Sequence, residues 1–328
     1  MAKPKVFVTR VILDQGMNLI SAFCDAEVWL GELPPSREII LKRACGMDGL
    51  LCLLTDQIDG EIMDDIGSQL KVISNHAVGF DNIAVAAATA RGIPVGNTPG
   101  ILTEATADMA FALMLAAGRR IVAGDRAVRD GGWKTWSPSF MLGADFAGAT
   151  LGLIGFGRIG RAVARRAAGF GMRILFHDPQ PVAPEPGLTA APADLDALLR
   201  ASDFVSIHTT LNDETRGMVD ASFLARMKPT AILINTARGA IVDQEALYEA
   251  LKARRIFAAG LDVADPEPLP LDSPLLTLDN LVICPHIASA SWQTRARMSR
   301  MAAENLIAGL KSERLPNCVN PEVYGESR

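Results

Sequence analysis

The sequence predicts an α/β protein built from doubly wound parallel sheets. Short apolar runs alternate with segments of helical periodicity along almost the whole chain, which is the pattern of parallel strands covered by helices. A chain of 328 residues, of which 49% are hydrophobic, can form two domains with separate cores. A glycine-rich turn at residues 155–160, between an apolar run and a helical segment, supports the same class.

The first part of the chain alternates regularly between the two kinds of segment. Thr98-Pro99-Gly100 then interrupts the alternation, and a Pro-Gly pair at this point is typical of a domain crossing. We expect strands at 6–9, 26–29, 49–54, 71–74 and 93–95, with helices at about 15–23, 36–44 and 60–66.

The second part of the chain begins with a helical pattern that contains no proline. This pattern predicts one long helix from Thr103 to about Arg129, ended by Gly131-Gly132. The Pro-rich stretch 179–192 is interpreted as a surface connection, and the last helix runs from Ser291 to about Leu310 before a polar tail. Six strands, a number that matches a dinucleotide-binding sheet, are expected at 150–154, 172–177, 204–207, 231–235, 257–262 and 281–284.

Charge and composition exclude several classes of function. The formal net charge is -5 and no block of basic residues stands out, so we expect neither nucleic acid nor a membrane as a partner. No apolar run reaches the roughly 20 residues that span a bilayer, and the N-terminus lacks the apolar core of a signal peptide. The five cysteines are scattered without CxxC spacing, which favours reduced thiols in a cytoplasmic protein and no metal site.

The glycine-rich turn has the sequence Gly155-Phe-Gly157-Arg158-Ile159-Gly160, a GxGxxG motif that follows a strand and opens a helix. Gly155 permits the tight turn, Gly157 lets the backbone approach a pyrophosphate, and Gly160 lets the helix pack on the strand. The N-terminus of the helix offers free N–H groups to the phosphates. The motif alone is weak, but this context predicts a dinucleotide site.

Asp178 ends the strand that follows, at the position where a carboxylate accepts hydrogen bonds from the adenosine ribose. A negative charge there repels a 2′-phosphate, and no Lys or Arg lies between Pro179 and Leu199 to attract one. We therefore expect NAD as the cofactor, with NADH preferred over NADPH. The alternative is that Asp178 is only a solvated carboxylate at a strand end.

Three further segments follow strands of the second region, at the sheet edge where open α/β sheets bind ligands. Arg238 offers a planar fork for a carboxylate. His286 has the ordinary pKa closest to neutrality and suits protonation of a carbonyl oxygen that gains charge. Glu267 is a candidate partner for the other ring nitrogen of His286. Singly, Arg238 could be a phosphate ligand, Glu267 a solvated charge and His286 a core residue.

These segments resemble the D-isomer-specific 2-hydroxyacid dehydrogenases, and within them the glyoxylate/hydroxypyruvate reductase branch. The resemblance extends from about Val6 to Asn320 and implies reduction of small 2-keto acids to D-2-hydroxy acids. It implies that Arg238 binds the substrate carboxylate and carbonyl, and that Glu267 supports His286 as the acid. The motifs that carry it are the glycine loop, Asn235-Thr-Ala-Arg-Gly-Ala-Ile-Val-Asp243, Gly260-Leu-Asp-Val-Ala-Asp-Pro-Glu-Pro268 and Pro285-His-Ile-Ala-Ser289.

The resemblance also implies further contacts. Backbone N–H groups of Val78 and Gly79 receive the substrate carboxylate, which agrees with a polar turn after a strand as an anion nest. Thr209 and Thr210 are implied cofactor contacts, at positions where many relatives have Val-Pro or a similar pair. The other implied substrate residues are Leu53, Ser289 and Trp136, and the other implied cofactor residues are Thr103, Arg158, Ile159, Thr236, Ala237, Asp262, His286 and Ser289.

On the scale of domains, the resemblance implies two Rossmann/flavodoxin-like domains with the active-site cleft between them. Residues 1–98 and 287–328 form a discontinuous substrate domain, and residues 99–286 form the NAD-binding Rossmann domain. A homodimer through the NAD-binding domain is expected, in which Trp136 lines the partner's substrate pocket. His76 is expected to be structural, and Trp292 and Arg295 lie where relatives vary and are candidates for substrate choice.

Three alternatives share this scaffold. Formate dehydrogenases pair Gln with the histidine, where this chain has Glu267. Many phosphoglycerate dehydrogenases carry an added regulatory domain that this chain lacks. A nucleotide-sensing corepressor is a different class of function, and the lack of basic patches disfavours it.

Overall fold

The computed structural model describes residues 2–183 and 185–325. Met1, Pro184 and residues 326–328 lie outside this description, so it covers the N-terminus, the connection 179–192 and the polar tail only in part. The chain divides into two compact units. Unit 1 combines the residues up to Leu102 with those from Ala290 onward, and unit 2 spans Thr103–Ser289. None of the described helices is long and apolar enough to cross a membrane.

Unit 1 contains a five-stranded parallel sheet in the order β2-β1-β3-β4-β5, the flavodoxin-like order of doubly wound sheets. Apolar runs such as Gly49–Cys52 form strands because both faces of a parallel strand are buried under helices. The strands are β1 (Lys5–Val8), β2 (Asp25–Val28), β3 (Gly49–Cys52), β4 (Val72–Asn75) and β5 (Val95–Gly96), and the helices are α1 (Asp14–Phe23), α2 (Arg37–Ala44), α3 (Gly60–Ile66) and α4 (Val85–Ala90).

The last long helix, α11 (Trp292–Leu310), returns to unit 1 and packs against α1, β3 and β4. Ser291 caps its N-terminus by accepting a hydrogen bond from the N–H of Thr294. Close packing requires a glycine at Gly309, because a side chain there would overlap Val72 of β4. One of the two cores of unit 1 therefore joins the start of the chain to its last helix. A short 3₁₀ helix, Pro321–Tyr324, follows.

Unit 2 contains a seven-stranded parallel sheet in the order β12-β11-β10-β9-β6-β7-β8, which is the Rossmann order with one added strand. Its strands are β6 (Thr150–Ile154), β7 (Arg173–His177), β8 (Ala191–Pro192), β9 (Phe204–Ile207), β10 (Ile232–Asn235), β11 (Ala258–Leu261) and β12 (Leu281–Ile283). Its helices are α5 (Thr103–Gly118), α6 (Ile121–Arg129), α7 (Arg158–Gly169), α8 (Leu195–Ala201), α9 (Ala221–Arg226) and α10 (Gln244–Lys252), with 3₁₀ turns at Gly239–Ile241 and Pro274–Thr277.

Two expectations for unit 2 need correction. The predicted single helix from Thr103 to Arg129 is wrong, because the chain breaks into α5 and α6 at Arg120, whose φ of 53° lies in the left-handed region. Arg119 and Arg120 occupy this break, and the nearby Gly118 lies inside α5 as its last residue, so the left-handed position where glycine usually ends a helix is taken by an arginine. The sheet also has a seventh strand, the two-residue edge strand β8, within the segment interpreted as a surface connection.

The predicted fold class, two doubly wound parallel α/β units, is confirmed. In such sheets ligands bind beyond the carboxyl ends of the strands, at the point where strand order reverses. In unit 2 this point lies between β6 and β9, which are hydrogen-bonded neighbours. The strands β10, β11 and β12 are also consecutive neighbours, so the segments that follow them share one sheet edge.

Candidate active site

The glycine loop of unit 2 has the geometry of a phosphate cradle. Gly155 has a φ of 90°, and a side chain there would overlap the backbone of His208 beyond β9. A side chain at Gly160 would overlap the carbonyl of Gly155. By contrast, Gly157 is exposed and a Cβ there would meet nothing within 4 Å, so the space in front of it is open.

Helix α7 begins at Arg158, directly behind this open space, and no side chain caps its N-terminus. The first N–H groups of a helix lack intrahelical acceptors and attract anions. The cradle therefore fits a pyrophosphate on geometric grounds, apart from the motif itself. Arg158 is exposed and Ile159 is partly buried, so both predicted cofactor residues lie at this helix start.

Asp178 follows β7 and is tied to the glycine loop. Its Oδ2 accepts a hydrogen bond of 2.7 Å from the N–H of Phe156, and its Oδ1 accepts one of 3.0 Å from the N–H of Gln180. The carboxylate is thus fixed beside the phosphate cradle, and each oxygen retains a lone pair for a ligand hydroxyl. This placement fits the predicted contact with the adenosine ribose.

The remaining predicted cofactor residues follow β9 and β10 or begin α5. The hydroxyl of Thr236 is buried and, within the described ranges, makes no hydrogen bond. A buried hydroxyl without a partner is rare and fits a position completed by a ligand. Thr209 and Ala237 are partly buried, Thr210 is exposed, and Thr103 is the first residue of α5.

Arg238 is presented by a turn that Asn235 shapes. The Asn235 Nδ2 donates to the carbonyl of Arg238 at 2.8 Å, and the Oδ1 accepts from the N–H of Ala237 at 2.9 Å. The guanidinium is partly buried and donates to the Ala237 carbonyl at 2.8 Å. The next residue, Gly239, packs so closely that a side chain there would overlap the backbone of Ala264, which lies on the segment leading to Glu267.

Glu267 and His286 form a hydrogen-bonded pair. His286 Nδ1 lies 2.8 Å from Glu267 Oε2, and Glu267 Oε1 accepts a hydrogen bond of 3.0 Å from the N–H of Ala264. Burial acts to raise the pKa of Glu267, but its hydrogen bond to His286 and the charges of His286 and Arg238 outweigh this and lower it. Because the carboxylate accepts, Nδ1 carries a hydrogen and Nε2 is the nitrogen available to a substrate.

The backbone that carries His286 is held by Asp262 at the end of β11. The Asp262 side chain is fully buried, and its two oxygens accept hydrogen bonds from the N–H groups of Ile287 at 2.9 Å and Ala288 at 2.7 Å. Its carbonyl accepts from the N–H of His286 at 2.8 Å. His286 has a φ of 54°, a left-handed conformation that costs free energy and needs such support. Burial raises the pKa of Asp262.

Asp262 is one of the residues expected to contact the cofactor. In the structure its carboxylate holds the His286 turn, and the contact with the cofactor stays a prediction. Ser289, expected at both substrate and cofactor, is buried three residues beyond His286.

In unit 1, the predicted substrate residues follow neighbouring strands. Val78 and Gly79 lie in the turn after β4 and are partly buried, while Leu53 follows β3 directly and is also partly buried. His76 is buried, with its Nε2 3.0 Å from the hydroxyl of Ser299 on α11. Burial and the positive charge of Arg295 lower the pKa of His76 to about 4, which fits the expected structural role.

Trp136 is 79% exposed in unit 2 and contributes to no described core. Trp292, at the start of α11, is 88% exposed. Among the described residues, no group of three or more His, Cys, Asp and Glu side chains could hold a metal ion.

Sequence reasoning missed residues that hold the site without facing it. Gln244 at the start of α10 exchanges hydrogen bonds with the backbone of Asp265 next to Glu267, and Asn235 shapes the Arg238 turn. Asparagine at the end of a strand is a turn signal that could have identified Asn235. Gln244 carried no such signal, because its partner is distant in sequence.

Comparisons with known proteins agree with this arrangement. The family model described as "D-isomer specific 2-hydroxyacid dehydrogenase, NAD binding domain" matches residues 111–288. A glyoxylate reductase of Korarchaeum cryptofilum is 53% identical, over 98% of this chain and 97% of that protein. A solved structure from Thermus thermophilus is 48% identical with a TM-score of 0.90, covering 96% of this chain and 99% of that one.

A further solved structure is that of an NADPH-dependent glyoxylate/hydroxypyruvate reductase from Sinorhizobium meliloti, in complex with NADP and malonate. It is 31% identical with a TM-score of 0.82, covering 97% of each chain. Together the fold and these matches define an NAD(P)-dependent 2-hydroxyacid dehydrogenase. The chain belongs to the D-isomer-specific 2-hydroxyacid dehydrogenase family, which confirms the resemblance stated from its motifs.

Proposed function

We propose that this protein reduces small 2-keto acids, with glyoxylate and hydroxypyruvate as the leading candidates, to D-2-hydroxy acids. The observation that carries the proposal is the hydrogen bond between Glu267 and His286, held at one sheet edge with the Arg238 turn. The names of relatives at 45–53% identity support the substrate class. In this proposal unit 2 binds the nicotinamide cofactor and unit 1 contributes the substrate N–H groups.

The roles follow from the chemistry of each group. When bound, the nicotinamide supplies the hydride that reduces the carbonyl carbon. Arg238 binds the carboxylate and polarises the carbonyl, and the N–H groups of Val78 and Gly79 bind the carboxylate. His286 Nε2 transfers its proton to the carbonyl oxygen, which completes the hydroxyl group. Glu267 orients the ring through Nδ1 and favours its charged form, and positioned acid catalysis of this kind contributes about 10²–10⁴ in rate.

The test is a panel of keto acids with NADH, followed by absorbance: glyoxylate, hydroxypyruvate, pyruvate, phenylpyruvate and 2-ketogluconate. We expect turnover with at least one small keto acid and its loss in His286→Ala. Full activity in His286→Ala would reject His286 as the acid. A protein that binds NADH tightly but turns over no keto acid would instead favour a nucleotide sensor.

We also propose that NADH is preferred over NADPH. The support is the Asp178 carboxylate fixed beside the cradle, where it would repel a 2′-phosphate. The Sinorhizobium meliloti relative is NADPH-dependent, so the family does not decide the preference. The ratio of kcat/KM for the two cofactors is the measurement, and a higher value with NADPH would contradict the assignment of Asp178.

Finally, we propose a cytoplasmic homodimer formed through unit 2. Helix α6 has no buried residue, and a groove of about 500 Å³ lies beside it, lined in part by Val122, Leu276 and Cys284. Large apolar side chains exposed on α6 and the segment after it need a cover: Ile121, Val122, Val128, Trp133, Trp136, Phe140 and Leu142. Light scattering coupled to size-exclusion chromatography should give twice the 35.0 kDa chain mass. A monomer at micromolar concentration would oppose the proposal.

A further inference from the structure

We propose that the buried Asn97 of unit 1 is a positioning residue that orients the N–H group of Gly79 toward a substrate carboxylate, and that the buried Asn75 fixes the same turn through the Gly79 carbonyl. The inference rests on the proposed function, because it concerns how the same site receives a 2-keto acid. Neither asparagine has to touch the substrate.

The carbonyl groups of residues 77–79 are all held by unit 1 itself. The Val78 carbonyl accepts a hydrogen bond of 2.8 Å from Asn97 Nδ2, and the Gly79 carbonyl accepts one of 2.9 Å from Asn75 Nδ2. The Ala77 carbonyl accepts one of 2.9 Å from the N–H of Thr98. All three donors belong to residues that are buried. Three consecutive carbonyls therefore point toward the interior of the unit.

The positions of these carbonyl groups determine the directions of the neighbouring N–H groups. In a trans peptide the C=O and the N–H of one unit point in opposite directions. The carbonyl of Ala77 shares a peptide with the N–H of Val78, and the carbonyl of Val78 shares one with the N–H of Gly79. The hydrogen bonds from Thr98 N–H and Asn97 thus turn the N–H groups of Val78 and Gly79 away from the interior, whereas the Gly79 carbonyl that Asn75 holds shares its peptide with the N–H of Phe80. No hydrogen bond from either N–H occurs within residues 2–183 and 185–325, which leaves both donors for a ligand.

The asparagines are fixed by their own partners. The second Asn75 N–H donates to Asn82 Oδ1 at 3.0 Å, and Asn82 Nδ2 donates to the carbonyls of Leu53 and Asp56, each at 3.0 Å. Asp56 is buried and accepts from the N–H of Leu53 at 2.8 Å. One polar network therefore fixes both the Val78–Gly79 turn and the Leu53 segment. A buried network whose members are all hydrogen-bonded is rigid.

The matched control is Asn320, another buried asparagine of unit 1. Its Nδ2 donates to the carbonyl of Ile93 at 3.0 Å and to the Thr89 hydroxyl at 2.9 Å, and its Oδ1 accepts from the N–H of Val95 at 2.8 Å. Asn320→Ala thus removes the same kind of buried hydrogen bonds without touching residues 76–80. This variant therefore measures how the loss of structural hydrogen bonds alone affects the binding of a substrate analogue.

The test uses oxamate, which carries a carboxylate beside a carbonyl and is a non-reducible probe, titrated by calorimetry into the protein saturated with NADH. We expect Asn97→Ala to raise the Kd of oxamate by about tenfold or more, because an oriented hydrogen bond from the Gly79 N–H to a charged group is lost. The Kd of NADH should change by less than about twofold. The KM of a turned-over keto acid should rise with the Kd of oxamate. Asn320→Ala should lower the melting temperature but leave the Kd of oxamate unchanged.

Two results would overturn the inference: a wild-type Kd for oxamate in Asn97→Ala, or an equal loss of affinity in Asn320→Ala. Absence of oxamate binding to the wild-type protein would also overturn it. If Asn97→Ala does not fold, Asn97→Ser gives the same comparison at the Val78 carbonyl. Failure of the wild-type protein to reduce any keto acid rejects the proposed function instead, and the oxamate titration still decides the positioning role.

Discussion

The position of the His286 imidazole depends on the backbone around it as well as on the side chain itself. The imidazole is useful only if its backbone stays in the left-handed conformation, with a φ of 54°. Asp262 supplies that constraint with three hydrogen bonds to the turn, and Glu267 fixes the ring. A buried carboxylate that accepts backbone N–H groups is a strong anchor, since hydrogen bonds to charged groups contribute about 1.5–3 kcal/mol each.

The first prediction at this scale concerns the charge of Glu267. Glu267→Gln keeps the size of the side chain but removes the negative charge that favours the protonated ring. We expect kcat/KM for keto-acid reduction to fall at every pH in the working range, because the ring loses the carboxylate that orients it and stabilises its charged form. The measurement is kcat/KM from about pH 5 to 9.

Glu249→Gln is the matched control, because Glu249 is an exposed carboxylate on α10 of the same unit. Its profile should overlay that of the wild-type protein. An unchanged kcat/KM in Glu267→Gln would show that the carboxylate only packs against the ring.

At the scale of elements, the site depends on how closely neighbouring strand ends approach. The turn after β10 carries Arg238, and the segment after β11 carries Glu267. Gly239 lies against Ala264, so a single missing side chain sets the distance between the two segments. The sequence motif contains this glycine. The structure explains why a glycine is needed, because β10 and β11 are neighbours in the sheet and bring the two segments into contact.

The second prediction tests this contact. Gly239→Ala introduces a methyl group that would overlap the Ala264 backbone, and overpacking of this kind costs about 1–3 kcal/mol. We expect a lower free energy of unfolding and a lower kcat, since the segments bearing Arg238 and Glu267 must move apart. Chemical denaturation and steady-state kinetics with NADH measure the two effects.

Gly169→Ala provides the comparison, because a Cβ at this last residue of α7 would meet nothing within 4 Å. It should alter stability by no more than about 0.5 kcal/mol and leave kcat unchanged. Equal effects of the two substitutions would mean that the close approach at Gly239 is not required.

For the whole molecule, periodicity and the glycine motif were sufficient to predict two parallel α/β units, because buried parallel strands are recognisable as apolar runs. The break at Arg120 was not predictable, since a left-handed arginine carries no local signal. The residues of the site also divide into those that the sequence predicts and those that it does not. His286 and Glu267 follow strand ends and were predicted to pair. Asn97 contacts Val78 only because β5 pairs with β4, and Asn75 contacts Gly79 only because the chain turns back after β4.

The third prediction concerns the acid stability of the whole chain. Burial and Arg295 lower the pKa of His76 in unit 1 to about 4, and burial lowers that of His208 in unit 2 to about 3. An unfolded histidine has a pKa of about 6.5, so below that pH the unfolded state binds protons that the folded state does not. Stability from each neutral histidine is therefore complete above about pH 6.5 and is lost as the pH falls toward the folded pKa.

Between pH 7 and pH 5, His76 alone should reduce the free energy of unfolding by roughly 2 kcal/mol. His76→Gln removes this titration while keeping a partner for Ser299, so its free energy of unfolding should fall less over the same range. The measurement is urea denaturation at both pH values, read separately for each transition if the two units unfold independently. A parallel decline in the wild-type protein and His76→Gln would show that His76 does not control the acid sensitivity of unit 1.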